Sequence, residues 1–219
     1  MEETIKILIY IHAFLGGIGL ITGVWSVLVK KGSLMHKKMG KIFSIGMIGS
    51  TLISIPISWL PNHENLFLFL IGLFTIYLVL AGNRALTFKT KDKADWIDKL
   101  ISGSMCFFSF VMISIGTYGL IRGNSLSVLY LFFGGFGLLL SIKDFIFYNT
   151  PKRFKQAWLI SHIGKMIGAL IASITAFIIA GLGIGHIIAW TVPTILGSIY
   201  IIYWKRKVRS KRVVKRTLN

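Results

Sequence analysis

The chain has 219 residues, 54% of them hydrophobic and only 15% charged, with a mean hydropathy of +0.74; a soluble domain of this length does not carry so much apolar surface. Its formal net charge is +18, from 25 Lys and Arg against 7 Asp and Glu. These charges cluster between long apolar runs, which sets them beside anionic lipid at a membrane surface and not against nucleic acid. The single cysteine, Cys106, excludes an internal disulfide, a Cys-x-x-Cys pair and zinc-finger spacing.

A membrane-crossing helix needs about 20 apolar residues, and seven stretches qualify, at 5–29, 41–60, 66–84, 97–121, 127–148, 159–182 and 186–204. The start, MEETIKILIY, lacks a basic n-region, and no small-residue cleavage site follows it. A retained first helix is therefore expected in place of a removed signal peptide. In this helix His12, Gly16, Gly19 and Gly23 fall on one face, so the histidine points to protein and not to lipid. The second helix takes Ser33 as its N-cap, which puts His36 in its first turn, and Pro56 should kink it. Asn83 and Arg84 close the third span, where Arg84 reads as a boundary anchor. Asp95 and Asp98, in KTKDKADWIDK before the fourth, read as solvated charge.

The glycines of FFGGFG lie within the fifth span and read as packing residues, while Asp144 near its end reads as a local ion-pair partner of Lys143. In the sixth span, Ser161, Gly164, Lys165, Gly168, Ala172 and Thr175 share one face at about 100° per residue. Branched aliphatics hold the opposite face. That predicts close packing along the small face, a central position for the first and sixth helices, and Lys165 reaching back to the boundary. His162 borders the same face. In the seventh span His186, Trp190, Pro193 and Gly197 align, and Pro193 should kink the helix.

The loops are short, so residues 1–204 form one transmembrane domain and 205–219 a basic tail. KKGSLMHKKMGK, the loop with Arg84, Lys89, Lys91 and Lys93, the loop with Lys152, Arg153 and Lys155, and the tail are all basic, whereas the intervening loops hold at most Arg122. The positive-inside rule then gives an all-α, seven-helix bundle in the inner membrane, N-terminus out and C-terminus in, with anionic lipid at its cytoplasmic face. Trp158 and Trp204 fall at cytoplasmic boundaries and Trp59 at an outer one.

Ionisable groups inside a membrane are costly and mark function. His36 and His162 share the cytoplasmic depth, whereas His12, His63 and His186 lie nearer the outer face. Bis-histidine ligation of haem b needs two imidazoles at matching depth, each oriented by a further hydrogen bond; His162 and His36 meet the depth condition. A catalytic zinc needs three ligands, and His162, His36 and Asp144 are the candidates, although no His-x-x-x-His or His-Glu-x-x-His is present. Transport would require broken helices, a repeat or a charge at the membrane centre.

The motifs IHAFLGGIGLITG, KKGSLMHKKMGKIF and WLISHIGKMIGALIASITAF, in this order, resemble a bacterial multi-pass membrane family catalogued as domain of unknown function 2306. LFLIGLFTIYLVLAGNRAL and DWIDK are similar to it as well. The resemblance runs from about His12 to Phe177 and singles out His12, His36 and His162. It brings no activity with it.

The expected function is a haem- or metal-binding redox protein using His162 and His36, with His12 at a second site or proton path. The alternatives are a non-catalytic subunit or homo-oligomeric packing partner in a membrane complex, a zinc-dependent intramembrane hydrolase, and a small-molecule transporter. The orientation has a direct measurement. A C-terminal tag should be reached by protease only after the inner membrane of spheroplasts is permeabilised, and cleavage in intact spheroplasts would reverse the assignment.

Overall fold

The computed structural model describes residues 2–150 and 156–216, with backbone alone at 187 and from 210 onward. Lys152, Arg153 and Lys155 of the expected basic loop lie outside the described residues. Seven helices follow one another: α1 (Glu2–Leu28), α2 (Leu34–Ile57), α3 (Leu66–Arg84), α4 (Trp96–Ile121), α5 (Ser127–Asn149), α6 (Ala157–Ala176) and α7 (Ile187–Arg216). A 3-10 turn, Ala85–Lys89, extends α3, and a π turn, Phe177–Gly181, extends α6. Six helices, α1 to α6 with these extensions, are long and apolar enough to cross a membrane.

The caps set the ends. Ser33 accepts the amide of His36 to start α2, and Asn65 accepts that of Leu68 to start α3. Asp95 and Asp98 form a reciprocal capping box at the start of α4. Ser33 therefore starts α2 well before the apolar run at 41. Pro56 produces no mid-helix kink: it sits in the last turn of α2, which stops at Ile57. α7 passes through Pro193 and past Trp204 as one helix, so the described part of the basic tail continues the rod.

Successive helices run antiparallel, so one end of the bundle, called here the basic end, carries the α1–α2 and α3–α4 connections and the C-terminal half of α7. The hub is α3, which touches α2, α4, α5 and α6. Leu70, Phe74, Leu78 and Val79 are among its buried side chains. α6 also touches three helices, α1, α3 and α7, so the expectation of a central position is corrected for α1 alone. α1 packs chiefly on α2, with a minor contact to α6. The reason is that α3 is apolar around its whole circumference, the pattern of a surrounded helix.

The glycine stripe of α1 does what its spacing predicts. A Cβ at Gly23 would stand 2.7 Å from Phe43 Cδ2 and 2.9 Å from Leu170 Cδ1. On the facing helix, a Cβ at Gly46 would meet the Leu15 carbonyl oxygen at 2.9 Å and the Gly19 backbone at 3.1 Å. With no gain from leaving water, packing of this kind holds bilayer helices together.

Backbone atoms cannot step aside as side-chain ends do. Gly46→Ala should therefore cost about 1–3 kcal/mol, read as a lowered unfolding midpoint in detergent. Gly40→Ala on the same helix, whose added Cβ meets nothing within 4 Å, should be neutral or stabilising. Equal midpoints for the two variants would refute the close-approach account.

Candidate functional site

Three histidines share one local chemistry. His12 Nδ1 lies 2.8 Å from the Ser50 carbonyl oxygen, His36 Nδ1 2.9 Å from that of Ser26, and His162 Nδ1 2.9 Å from that of Gly82. A carbonyl only accepts, so each ring donates from Nδ1, which in a neutral imidazole leaves the lone pair at Nε2. Each Nε2 is left without a hydrogen-bond partner among the described residues, and all three rings are half-buried.

The acceptors explain why the sequence folds this way. Ser26 and Gly82 lie in the last turns of α1 and α3, where carbonyls are open to donors from other helices. Gly82 also lets α6 approach, since a Cβ there would stand 2.8 Å from Met166 Sδ. Ser50 is doubly tied to His12, because its hydroxyl donates to the His12 carbonyl at 2.9 Å.

His36 and His162 come together at the basic end and lie within electrostatic range of each other. His12 sits about 20 Å further along α1 from Ser26, at 1.5 Å per residue. His63 and His186 are exposed.

A second cluster joins four helices. Asp144 of α5 is 2% exposed. Its Oδ1 takes the Lys165 ammonium of α6 at 2.5 Å. Its Oδ2 accepts from Tyr77 of α3 at 2.7 Å and from Ser102 of α4 at 3.0 Å. Lys165 also donates to Ser161 at 2.6 Å, Ser102 pairs with the Tyr148 hydroxyl at 2.8 Å, and Ser141 donates to the Ser102 carbonyl at 2.5 Å.

Two expectations are corrected here. Lys165 does not reach back to the boundary, and Asp144 does not pair with Lys143; they pair with each other. The two are 21 residues apart in the chain, yet both lie within a few turns of the ends of successive antiparallel helices, at similar depth. The expected zinc set of His162, His36 and Asp144 is not gathered into one cluster among the described residues. Both Asp144 oxygens are engaged, and no group of three His, Cys, Asp or Glu side chains is placed to hold a metal among the described residues.

Beside this cluster, Arg84 donates to Asp95 at 2.6 Å and to Asp98 at 2.5 Å, and Lys91 joins both carboxylates. Asp98 is 1% exposed, so neither aspartate is simply solvated. The Lys91 ammonium, the Asp98 amide and the Arg84 guanidinium hold the Asp95 carboxyl well below the usual carboxylate range. This network closes the α3–α4 link.

Tyr77, Ser102, Ser141 and Tyr148 were not singled out from sequence. The spacing of Ser141, Asp144 and Tyr148 does put all three on one face of α5. No known protein family, curated protein or solved structure matches the chain.

Breaking a buried pair strands one charge, at a cost of about 3–5 kcal/mol. Asp144→Asn should show that loss in detergent unfolding, and adding Lys165→Met should recover most of it. A double variant no more stable than the single one would mean that the pair does not tie α5 to α6.

Proposed function

We propose that this chain is a seven-span inner-membrane protein, N-terminus out and C-terminus in, that binds one b-type haem at its cytoplasmic, basic end through His36 and His162. In this reading α7 is the seventh span, and the chain belongs with the family catalogued as domain of unknown function 2306. The observation that carries the proposal is the matched pair of rings. Each donates from Nδ1 to a helix-end carbonyl and keeps a free Nε2, and the two rings lie within electrostatic range of each other.

That donor set fits a haem iron. Axial imidazoles are neutral, with Nδ1 fixed by an outer acceptor that raises the basicity of the ligating nitrogen. It does not fit a catalytic zinc, for want of a third ligand. The Ser26 and Gly82 carbonyls sit at the negative ends of helix dipoles, which strengthens both outer hydrogen bonds. Lys37 and Lys38, exposed beside His36, supply cations suited to propionates. Haem bound there supplies one-electron redox chemistry. The protein's own part is to orient the two imidazoles. His12 has the same local chemistry but lies too far along α1 to share the site.

Protein purified from haem-replete cells should carry about one haem per chain, by Soret absorbance and pyridine haemochrome assay. His36→Ala and His162→Ala should each abolish the band, and His12→Ala should retain it. A colourless wild-type preparation from such cells would overturn the proposal.

A further inference from the structure

α5 and α7 stand apart. Between them, floored by α6, runs a cleft of about 650 Å³. Its floor is the small face of α6, at Gly164, Gly168 and Ala172. That face was expected to pack tightly on a neighbour, but a Cβ at Gly168 would meet only Leu78, at an ordinary 3.6 Å. The walls are apolar, with Phe132 and Phe136 of α5 and Ile202 of α7 about half exposed on its rim.

The basic end of the cleft is different. Lys143 of α5 and Lys205 and Arg209 of α7 line it together with the Asp144–Lys165 pair. Asp144 is already matched by Lys165. No ion pair to an acidic side chain engages Lys143, Lys205 or Arg209 among the described residues. Lys205, just past the apolar part of α7, is half-buried. Burial first, and then the charges of Lys143, Arg209 and Lys165, push its ammonium pKa down. Three converging cations without a counter-ion repel one another, and an anion between them relieves the repulsion.

Depth narrows the choice of anion. From Thr194 to Lys205, both lining residues, α7 rises about 16 Å at 1.5 Å per residue. One leaflet of a hydrocarbon core is about 15 Å deep. A slot one leaflet deep, greasy along its length and cationic at the surface end, has the complement of a single lipid.

We propose that this cleft is a binding site for an anionic glycerophospholipid of the leaflet at the basic end, its phosphate held by Lys143, Lys205 and Arg209 and its acyl chains lying on Gly164, Gly168 and Ala172. The site rests on the membrane reading of the fold and is independent of haem binding, so the two proposals fail separately.

The test uses full-length protein in detergent, with phosphatidylglycerol and phosphatidylcholine as probes and native mass spectrometry as the readout. Wild type should retain one phosphatidylglycerol per chain in preference to phosphatidylcholine. Lys143→Gln/Lys205→Gln/Arg209→Gln should weaken retention roughly a hundredfold, at the strength expected of three surface cations. Lys89→Gln/Lys93→Gln/Lys99→Gln removes as much charge from exposed positions of the same end and should leave retention unchanged. Gly168→Leu, which narrows the floor and alters no charge, should weaken it as well.

Equal loss in both triple variants, equal retention of the two lipids, or indifference to Gly168→Leu would each overturn the proposal. A stoichiometric partner protein or a second copy covering the cleft would also overturn it. Should the cleft triple variant fail to fold, Gly168→Leu and the comparison of the two lipids decide the matter alone.

Discussion

A lysine and an aspartate taken out of water together hold the basic half of this bundle in register. Either charge alone would be prohibitive at that depth, and the pair is tolerable only because its remaining hydrogen-bonding capacity is also used. Asp144 collects donors from α3, α4 and α6, so a single carboxylate fixes the rotation of three helices about the one that carries it. Such an arrangement adds less to stability than an apolar core of the same volume would. Its value lies in choosing one packing among the many that featureless apolar helices allow.

The histidines obey the same rule of complete satisfaction on one side only. Their Nδ1 atoms are matched by backbone carbonyls, near helix ends for His36 and His162 and within α2 for His12, and their Nε2 atoms find no partner among the described residues. A purely structural histidine in a bilayer would be expected to use both nitrogens or to turn one towards water. Three rings at two depths with identical half-satisfaction therefore set these positions apart from ordinary packing residues. His36 and His162 lie within electrostatic range of each other at the basic end, and His12 has the chemistry without the companion.

The architecture was legible because a bilayer simplifies the physics. Helix α3 appears where its apolar run says it should, and Ser33 caps α2 as its position implied. The glycine face of α1 was read as a protein-facing side, and that side forms the seam with α2. What the sequence hid was pairing across space. Lys165 looked like a snorkelling residue because its partner is 21 residues away, on the preceding helix. Asp98 looked solvated because the guanidinium that covers it belongs to α3. The small face of α6 was read as a contact surface, and part of it instead floors an opening. Smallness permits close approach without compelling it. The central place of α3 was visible all along in its uniform greasiness, a signal that periodicity arguments overlook because it has no period.

The carbonyl that steadies His162 belongs to a stretch whose shape is governed elsewhere. Gly82 stands two residues before Arg84, and Arg84 is clamped by Asp95 and Asp98 at the head of α4. The orientation of an imidazole on one helix thus hangs, through a glycine, on a salt cluster that never touches it. Loosening that distant clasp would let the ring turn over and exchange its nitrogens, with every atom of the ring and its immediate neighbours chemically unchanged.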